Sequence, residues 1–307
     1  MSTWLVTHPA CLEHDTSDGH PESAARLRAI ITALEDPAFE FLIREEAPEA
    51  TRDQLEGAHD PDYVAEILAS VPTTGYTKND PDTLLSPGSG ESARRAAGGV
   101  CHAIDGVFQG KAHRAFCAAR PPGHHAESDR AMGFCFFNNI AVGAAHAASQ
   151  YGLERIAIVD FDVHHGNGTE QICRGRPRFN YYSTHQHPLF PGTGLPSPDT
   201  PSNITNATLA DGDGSEAFRA VYSDSILPAI DSLKPDLVLI SAGFDGHRSD
   251  PLATLRLDET DFSWATRELV SLARQHCQGR VVSVLEGGYN SSSVGRCAAA
   301  HVEALMM

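Results

Sequence analysis

Two carboxylates and two imidazoles stand within six residues, from Asp160 to His165, at the end of an apolar run that includes Ile158. Asp162 and His164 are two positions apart, so their side chains project from the same side of an extended chain and can reach one cation. The alternative is a solvated polar loop after a strand, and the additional Asp160 and His165 argue against it. The spacing therefore predicts a metal site.

Four more segments with chemically active side chains also follow predicted strands. They are residues 120–126, 183–185, 241–247 and 286–289. In open α/β sheets, ligands bind in the crevice beyond the carboxyl ends of the strands. We therefore expect all five segments to converge there and to form one site.

The elements that must position this site follow from the alternation of β-rich apolar runs with helical patterns. This alternation indicates an α/β fold with three αβα layers and a central, mostly parallel sheet. The predicted strands are 5–7, 115–118, 156–160, 179–183, 237–241 and 281–285. The predicted helices are 23–34, 61–69, 90–109, 139–151, 215–233, 259–275 and 292–305.

Local signals mark several boundaries of these elements. Asp258 is placed to cap the helix that follows it, and Gly110 and Gly152 stand where helix ends favour glycine. The stretches 71–89 and 190–214 are rich in Pro, Gly, Ser and Asp, and we predict them to be irregular loops at the rim of a pocket.

Length and composition are ordinary for a soluble globular protein. The 307 residues, 41% hydrophobic and 21% charged, suit one domain over 1–307, and no apolar run approaches the length of a membrane span. The amino-terminal residues lack a basic segment followed by a long apolar stretch, so we expect a cytoplasmic protein that has no membrane partner. The oligomeric state stays open.

Charge and cysteine content argue against certain kinds of partner and site. The formal net charge of -17 disfavours nucleic acid as a partner and would concentrate cationic substrates, although solubility alone also explains it. The seven cysteines include no C-x-x-C pair, which argues against a disulfide framework and against a thiolate zinc site.

The ordered motifs resemble those of the zinc-dependent histone deacetylase superfamily, which includes acetylpolyamine amidohydrolases and acetoin-utilisation proteins. Asn167 and the SAGFD segment at 241–245 are similar to the class II branch, in which bacterial relatives are common. The motifs are His14-Asp15, HPE at 20–22, RPPGHHA at 120–126, GFCFFNN at 133–139, DVHHGNG at 162–168, FPGTG at 190–194 and EGGY at 286–289.

The resemblance implies an arginase-like fold with one zinc ion per chain, bound by Asp162, His164 and Asp245. Two carboxylates, one imidazole and an open position suit a catalytic zinc. Iron(II) or cobalt could compete, because oxygen-rich sites discriminate less sharply among first-row divalent metals.

The resemblance also implies that His124 and His125 carry out acid and base catalysis, with His125 moving the proton and His124 as its electrostatic partner. A pair of structural histidines is the alternative. The family pattern pairs His124 with Asp160 and His125 with Asn167, and the neutral Asn167 should leave His125 less basic than an aspartate would.

Tyr289 matches the tyrosine whose hydroxyl donates to the developing oxyanion, and a packed loop tyrosine is the alternative.

A monovalent cation, potassium, is implied at Asp160, Asp162, His164, Ser183 and Thr184. For Ser183 and Thr184, ordinary residues at a strand end explain the sequence nearly as well. A second such cation would involve the segment 173–179, in which the sequence does not identify the ligands.

The tunnel for an acyl-lysine chain is implied to include Gly133, Phe134, Phe190 and Leu252. The phenylalanines would otherwise be core residues. Leu252 occupies a rim position that is glutamate in a polyamine-preferring branch, so it favours acyl-lysine. Arg26 aligns with an exit-channel arginine, and an arginine on a surface helix is the alternative.

Together these features predict a zinc amidohydrolase that removes acetyl or short acyl groups from the ε-amine of lysine in a peptide or protein. The first alternative is the same chemistry on acetylpolyamines or another small acylated amine. The second alternative is a catalytically silent binding module. Every mechanistic position of the family is filled, which favours the enzyme.

Overall fold

One eight-stranded sheet organises the molecule, and all of its strand pairs are parallel. The computed structural model describes residues 2–307, so Met1 of the predicted 1–307 domain lies outside the described residues. The strands of the sheet are β1 (Thr3–Thr7), β2 (Ile43–Glu46), β5 (Arg114–Cys117), β6 (Ile156–Asp160), β7 (Phe179–Gln186), β8 (Ile204–Leu209), β9 (Leu237–Ala242) and β10 (Val281–Leu285), and a separate hairpin pairs β3 (Thr77–Lys78) with β4 (Leu84–Leu85). The order of the strands in the sheet is β2-β1-β5-β10-β9-β6-β7-β8.

Helices cover both faces of the sheet, which confirms the predicted three-layer α/β fold. They are α1 (Ala24–Ala33), α2 (Arg52–Glu56), α3 (Pro61–Ala69), α4 (Ser89–Phe108), α5 (Asn139–Tyr151), α6 (Asn167–Arg174), α7 (Ser215–Val221), α8 (Leu227–Leu233), α9 (Glu259–His276) and α10 (Ser291–Met306). None of the helices within residues 2–307 is both long enough and apolar enough to cross a bilayer.

Alternating strand residues separate two cores. In β6, Ile156 and Ile158 pack with α4 and α5, whereas Ala157 and Val159 pack with α1, α9 and α10. The side chains of a strand point alternately to opposite faces, and both faces here are covered. Strands of this kind are apolar throughout, which explains why the sequence identified the central strands.

Helix boundaries follow the capping signals. The Asp258 carboxylate accepts the Thr260 N–H at 2.9 Å and begins α9, as predicted. Gly152 ends α5 with φ of 65°, and Gly110 follows α4 with φ of 72°. A left-handed backbone of this kind favours glycine because other residues have a Cβ that crowds the chain.

The prediction of two irregular loops was wrong in part. The stretch 71–89 contains the β3–β4 hairpin, and 190–214 contains the edge strand β8. Because β8 is only half-buried and polar in its middle, it lacks the apolar run of a central strand. The other edge strand, β2, is largely exposed and was missed for the same reason.

The predicted helix 215–233 is interrupted by a π-helical turn, Tyr222–Ile226, between α7 and α8. The short helices α2 and α6 were not predicted, because five and eight residues are too few to show a helical hydrophobic period.

The topology brings the chemical segments together. Strands β5, β10, β9 and β6 are consecutive neighbours in the sheet, and each is followed by one of the loops with chemically active residues. Parallel strands end at the same edge, so loops far apart in sequence become adjacent.

Candidate metal centre and active site

Asp162, His164 and Asp245 form a buried cluster at the carboxyl edge of the sheet. One ligand atom from each lies within 4.8 Å of the others, and His164 Nδ1 is 3.1 Å from both Asp162 Oδ1 and Asp245 Oδ2. Asp162 and His164 come from the loop after β6, and Asp245 comes from the loop after β9. The structure thus brings the three predicted zinc ligands together.

The charges of this cluster fit a divalent cation. Asp162 and Asp245 are both fully buried, and within residues 2–307 neither carboxylate has a lysine or arginine within ion-pair distance. Burial raises the pKa of Asp245, and the Asp162 carboxylate raises it further. Two buried carboxylates that share one imidazole leave negative charge uncompensated, which a metal ion would balance.

Backbone groups hold the two carboxylates in place. Asp162 Oδ2 accepts the Gly287 N–H at 2.8 Å, and Asp245 Oδ1 accepts the Val163 N–H at 2.9 Å. A Cβ at Gly287 would lie 2.0 Å from Asp245 Oδ2, and one at Gly243 would lie 2.1 Å from Asp162 Oδ2. Glycine at these positions is therefore required for the close approach of the ligands.

The next residue, His165, points elsewhere. Its Nε2 lies 2.9 Å from Glu170 Oε2, and its Nδ1 lies 2.8 Å from Thr193 Oγ1. The imidazole therefore links the metal-bearing loop to the segment that follows Phe190, and it does not join the cluster.

His124 and His125 lie beside the cluster, with ring centroids 4.0 Å apart and ring planes at 44° to each other. His124 Nδ1 donates to Asp160 Oδ2 at 3.0 Å, and His125 Nδ1 donates to Asn167 Oδ1 at 2.8 Å, so both predicted pairs are present. Each bond fixes which ring nitrogen carries a proton and leaves Nε2 available.

The two imidazoles differ in basicity. Burial lowers the pKa of His124, but the carboxylates of Asp162 and Asp160 outweigh it and hold the pKa well above its ordinary value. Burial lowers the pKa of His125 well below its ordinary value, and the nearby His124 and His164 lower it further. The Asn167 oxygen opposes this shift only weakly, since a carbonyl stabilises imidazolium less than a carboxylate does.

A narrow cavity of about 240 Å³ leads to these groups. All of the predicted tunnel residues line it. The lining comprises Asp82, His125, Gly133, Phe134, His164, Leu189, Phe190, Leu252 and Tyr289. Sequence reasoning did not place Leu189 in the tunnel and left Asp82 unassigned, because both lie in loops whose course depends on tertiary contacts.

The backbone at Gly133 and Phe134 shapes one wall of this cavity. Gly133 has φ of 56° and Phe134 has φ of 70°. A Cβ at Gly133 would lie 2.6 Å from the His125 ring, and the Phe134 N–H donates to Thr83 Oγ1 at 3.1 Å. A left-handed phenylalanine is uncommon and occurs where surrounding contacts impose it, often at functional sites.

Tyr289 lines the cavity opposite Phe134, with ring centroids 5.9 Å apart. Its backbone N–H donates to Asp250 Oδ2 at 2.6 Å, and the other Asp250 oxygen accepts the Leu252 N–H at 3.0 Å. Asp250 therefore connects the tyrosine loop to the rim, a role that the sequence did not indicate.

Arg26 lies beneath the tyrosine loop, and the alternative of a surface arginine is wrong because the side chain is almost fully buried. Its Nε donates to the Gly288 carbonyl at 2.5 Å and its Nη2 donates to the Glu286 carbonyl. The guanidinium carbon lies 4.7 Å from the centre of the Tyr289 ring. Arg26 thus holds the EGGY segment in place.

The charge of Arg26 is balanced by a buried carboxylate. Glu22 accepts from Arg26 Nη1 at 2.9 Å and from Arg120 Nη2 at 2.6 Å, and all three residues are buried. Burial raises the pKa of Glu22, but the Arg120 and Arg26 guanidinium groups outweigh it and hold the pKa at about 2. Glu22 of the HPE motif and Arg120 of the RPP motif therefore belong to one buried ion-pair network that supports the fold.

We expect Glu22→Gln to lower the free energy of unfolding at pH 7 by about 3–5 kcal/mol, because it leaves two buried guanidinium groups without a counter-charge. The folded-state pKa lies below the ordinary 4.5, so the carboxylate stabilises the fold above that pH and loses this effect as the pH falls towards 2. Urea denaturation should therefore show that the difference in the free energy of unfolding between variant and wild type becomes smaller from pH 7 to pH 3. Glu49→Gln, at a surface pair with Arg94, should cost under about 1 kcal/mol, and an equal loss in both variants would contradict the prediction.

Glu286 is a further buried carboxylate at the site that the sequence did not assign. Its Oε2 accepts the backbone N–H groups of Gly123 and His124 at 2.6 and 3.1 Å, and its Oε1 accepts the Ser241 hydroxyl at 3.1 Å. Burial raises the pKa of Glu286 to about 7, although His124 opposes this shift. The carboxylate fixes the backbone that presents the two imidazoles.

The region predicted to hold a monovalent cation contains buried oxygens without partners. The hydroxyls of Thr184 and Tyr222 are buried next to each other, and neither lies within ordinary hydrogen-bond geometry of a partner within residues 2–307. Ser183 Oγ lies 2.9 Å from His185 Nδ1, so its hydroxyl is engaged. Tyr222 comes from the π-helical turn and was not predicted. Buried oxygens of this kind suit a hard cation.

A second cluster of metal-ligand types, His247, Glu259 and Cys297, does not fit a metal. His247 Nδ1 accepts the Ser249 N–H at 3.1 Å, so the neutral ring carries its proton on Nε2. Nε2 faces Glu259 at 3.6 Å and has no lone pair to offer a cation. The Arg296 guanidinium already neutralises Glu259 at 2.6 Å.

A larger groove of about 680 Å³ lies between α2, α5 and residues 176–179. None of the predicted site residues line it. It adjoins the amino end of β7, opposite the edge at which the chemical loops meet. The smaller cavity therefore remains the candidate active site.

Comparisons with known proteins agree with this architecture. The family model described as histone deacetylase domain matches residues 20–305. The histone deacetylase-like amidohydrolase of Pseudomonas aeruginosa is 36% identical over 98% of this chain and 79% of that protein. Type-2 histone deacetylase 2 of Dictyostelium discoideum is 34% identical over 100% of this chain, which spans only 21% of that protein. The crystal structure of the HDA15 HD domain has a TM-score of 0.93 and 33% identity, covering 99% of this chain and 88% of that chain.

Proposed function

Because the chain belongs to the histone deacetylase family, whose members are zinc-dependent hydrolases, we propose that it removes acetyl or short acyl groups from the ε-amine of lysine in peptides or proteins. The observation that carries the proposal is the narrow cavity, which is lined by His125, His164 and Tyr289 and walled by Phe134 and Phe190. An acyl-lysine has a slim apolar stem that ends in an amide. Aromatic walls with polar groups at the base suit that shape.

We assign one zinc ion to Asp162, His164 and Asp245 on the grounds of their donor types, burial and mutual distances. When bound, zinc supplies a Lewis acid that activates water and polarises the amide carbonyl. The two carboxylates neutralise the ion and the imidazole adds the borderline ligand that zinc favours.

The two histidines have different roles in the reaction. His125, whose Nδ1 is fixed by Asn167, uses Nε2 to take a proton from water and to deliver a proton to the leaving nitrogen. His124, held by Asp160, places positive charge next to the developing oxyanion. The water oxygen first forms a C–O bond to the carbonyl carbon, and the C–N bond then breaks as the leaving nitrogen takes a proton from His125, so that the products are a free amine and a carboxylate.

Tyr289 donates its hydroxyl to the carbonyl oxygen as negative charge develops there. Burial raises the pKa of Tyr289 well above its ordinary value, so the phenol stays protonated and able to donate. Arg26 and Asp250 hold the tyrosine loop in place from below and from the rim. We assign positioning roles to both.

The test is a panel of substrates assayed with the zinc-loaded protein. We expect a higher kcat/KM for an acetyl-lysine peptide than for longer acyl-lysine peptides or acetylpolyamines. A preference for acetylpolyamines would replace the proposed substrate with its first alternative. Stoichiometric zinc without turnover of any substrate would overturn the enzymatic proposal in favour of a binding module.

Substitutions at Leu252 test whether the preferred substrate is an acyl-lysine or an acetylpolyamine. We expect Leu252→Glu to shift the kcat/KM ratio towards acetylpolyamines by about tenfold, because a carboxylate at the rim attracts the distal ammonium groups. Leu252→Gln changes the shape similarly without adding charge and should leave the ratio nearly unchanged. Equal shifts in the two variants would contradict the electrostatic argument.

We also propose that potassium binds near Thr184 and Tyr222, where the two hydroxyl oxygens lack partners. A cation there would support β7 and the loop after β6, because Tyr181 of β7 donates to Asp160 at 2.9 Å.

The net charge of -17 is consistent with cationic substrates and with the absence of a role for nucleic acid.

A further inference from the structure

The side-chain amide of Asn203 lies at the centre of a cage of backbone carbonyls. Its Nδ2 is 3.0 Å from the Cys173 oxygen, 3.4 Å from the Arg176 oxygen and 2.8 Å from the Phe179 oxygen. These carbonyls belong to the turn that connects α6 to β7, and Asn203 immediately precedes β8. This is the segment in which the family resemblance implies a second monovalent cation.

Converging carbonyl oxygens that are partly shielded from water are stabilised by a donor or a cation placed among them. An amide nitrogen supplies two N–H groups. A cation, in contrast, would have to lose its hydration water before it could bind to the carbonyls. Two of these carbonyls also accept backbone N–H groups: Cys173 from Arg176 and Arg176 from Phe179, each at 2.9 Å. The hydrogen bonds that the three carbonyls still lack can therefore be supplied by the two N–H groups of one amide.

The amide and a cation cannot occupy the cage together. With Nδ2 within hydrogen-bond distance of the oxygens, an ion could enter only if the Asn203 side chain rotated away. The Asn203 carbonyl accepts the Tyr181 N–H at 2.8 Å, which fixes the backbone from which the side chain projects. Rotation of the side chain out of the cage would break the bonds that Nδ2 makes to the carbonyls, so an ion would have to compensate for their loss.

We propose that the Asn203 amide takes the place of the second monovalent cation, so that this chain binds no ion in the cage formed by residues 173, 176 and 179. The site near Thr184 and Tyr222 differs, since its two hydroxyl oxygens have no partner within the described residues. The chain therefore binds at most one potassium ion, and the α6–β7 turn keeps its order without potassium.

Equilibrium dialysis with rubidium as the probe tests the proposal on the zinc-loaded chain of residues 1–307. We expect at most one rubidium ion per wild-type chain and one more in Asn203→Ala, because the truncated side chain opens the cage. Asn203→Leu fills the same volume without a donor and should bind no additional ion. Two ions in the wild type, or no gain in Asn203→Ala, would overturn the proposal.

Thermal unfolding provides an independent measurement. Without potassium, Asn203→Ala and Asn203→Leu should each lower Tm by roughly 5 °C, given the loss of two to three hydrogen bonds in a chain of this size. Potassium should restore Tm in the alanine variant and not in the leucine variant. Equal responses of the two variants would contradict the proposal. Asn180→Ala, at a single long bond to the Arg178 carbonyl, is the matched control and should behave as wild type.

Discussion

Asp245→Asn should abolish turnover by removing zinc. The amide keeps the shape of Asp245 but replaces an anionic ligand with a neutral one, so Asp162 is then the only carboxylate among the three ligands. Loss of groups that merely orient a ligand costs 10- to 100-fold in metal affinity, so loss of the ligand itself should cost more than about 100-fold. Zinc content after dialysis and hydrolysis of an acetyl-lysine peptide measure the two effects.

The same strand provides a control for this variant. Asp236 lies just before β9, at the end opposite to Asp245, and pairs with Arg155 at 2.6 Å on the surface. Asp236→Asn should keep stoichiometric zinc and full activity. If Asp245→Asn retained zinc with wild-type affinity, the proposed ligand set would be wrong.

Tyr289→Phe should keep zinc and lower kcat by about 100- to 1000-fold, the usual cost of losing one donor to an oxyanion. The hydroxyl bonds the carbonyl oxygen more strongly as charge develops, so its loss raises the barrier more than it weakens binding. KM should therefore change little. The ring itself stays between Phe134 and Arg26, because their contacts with it do not involve the hydroxyl.

Tyr151→Phe is the matched control, since its hydroxyl bonds Asp105 at 2.8 Å far from the cavity. It should leave both zinc content and kcat unchanged. An unchanged kcat in Tyr289→Phe would remove the tyrosine from the mechanism. Equal loss of zinc in Tyr289→Phe and Asp245→Asn would contradict the separation of metal binding from oxyanion stabilisation.

Local spacing in the sequence is enough to predict several features of this protein. The central strands are predictable because strands buried on both faces are almost continuously apolar, as in β6 and β10. The Asp162 and His164 pair was identified by a spacing of two residues in an extended chain. Asp245 was predicted from the resemblance of its motif, and the fold explains why it reaches the same cluster.

Features that depend on long-range contacts are visible only in the folded chain. Arg26 reaches the carbonyl of Gly288 across 262 positions, and Glu22 reaches Arg120 across 98, so no local pattern reveals either pair. The edge strands β2 and β8 lack an apolar run because one side of each is solvated. Asn203 is an ordinary polar residue in the sequence, and only the fold surrounds its amide with three carbonyls. Sequence patterns report burial and periodicity, whereas the partners of a buried polar group are set by which segments the sheet brings side by side.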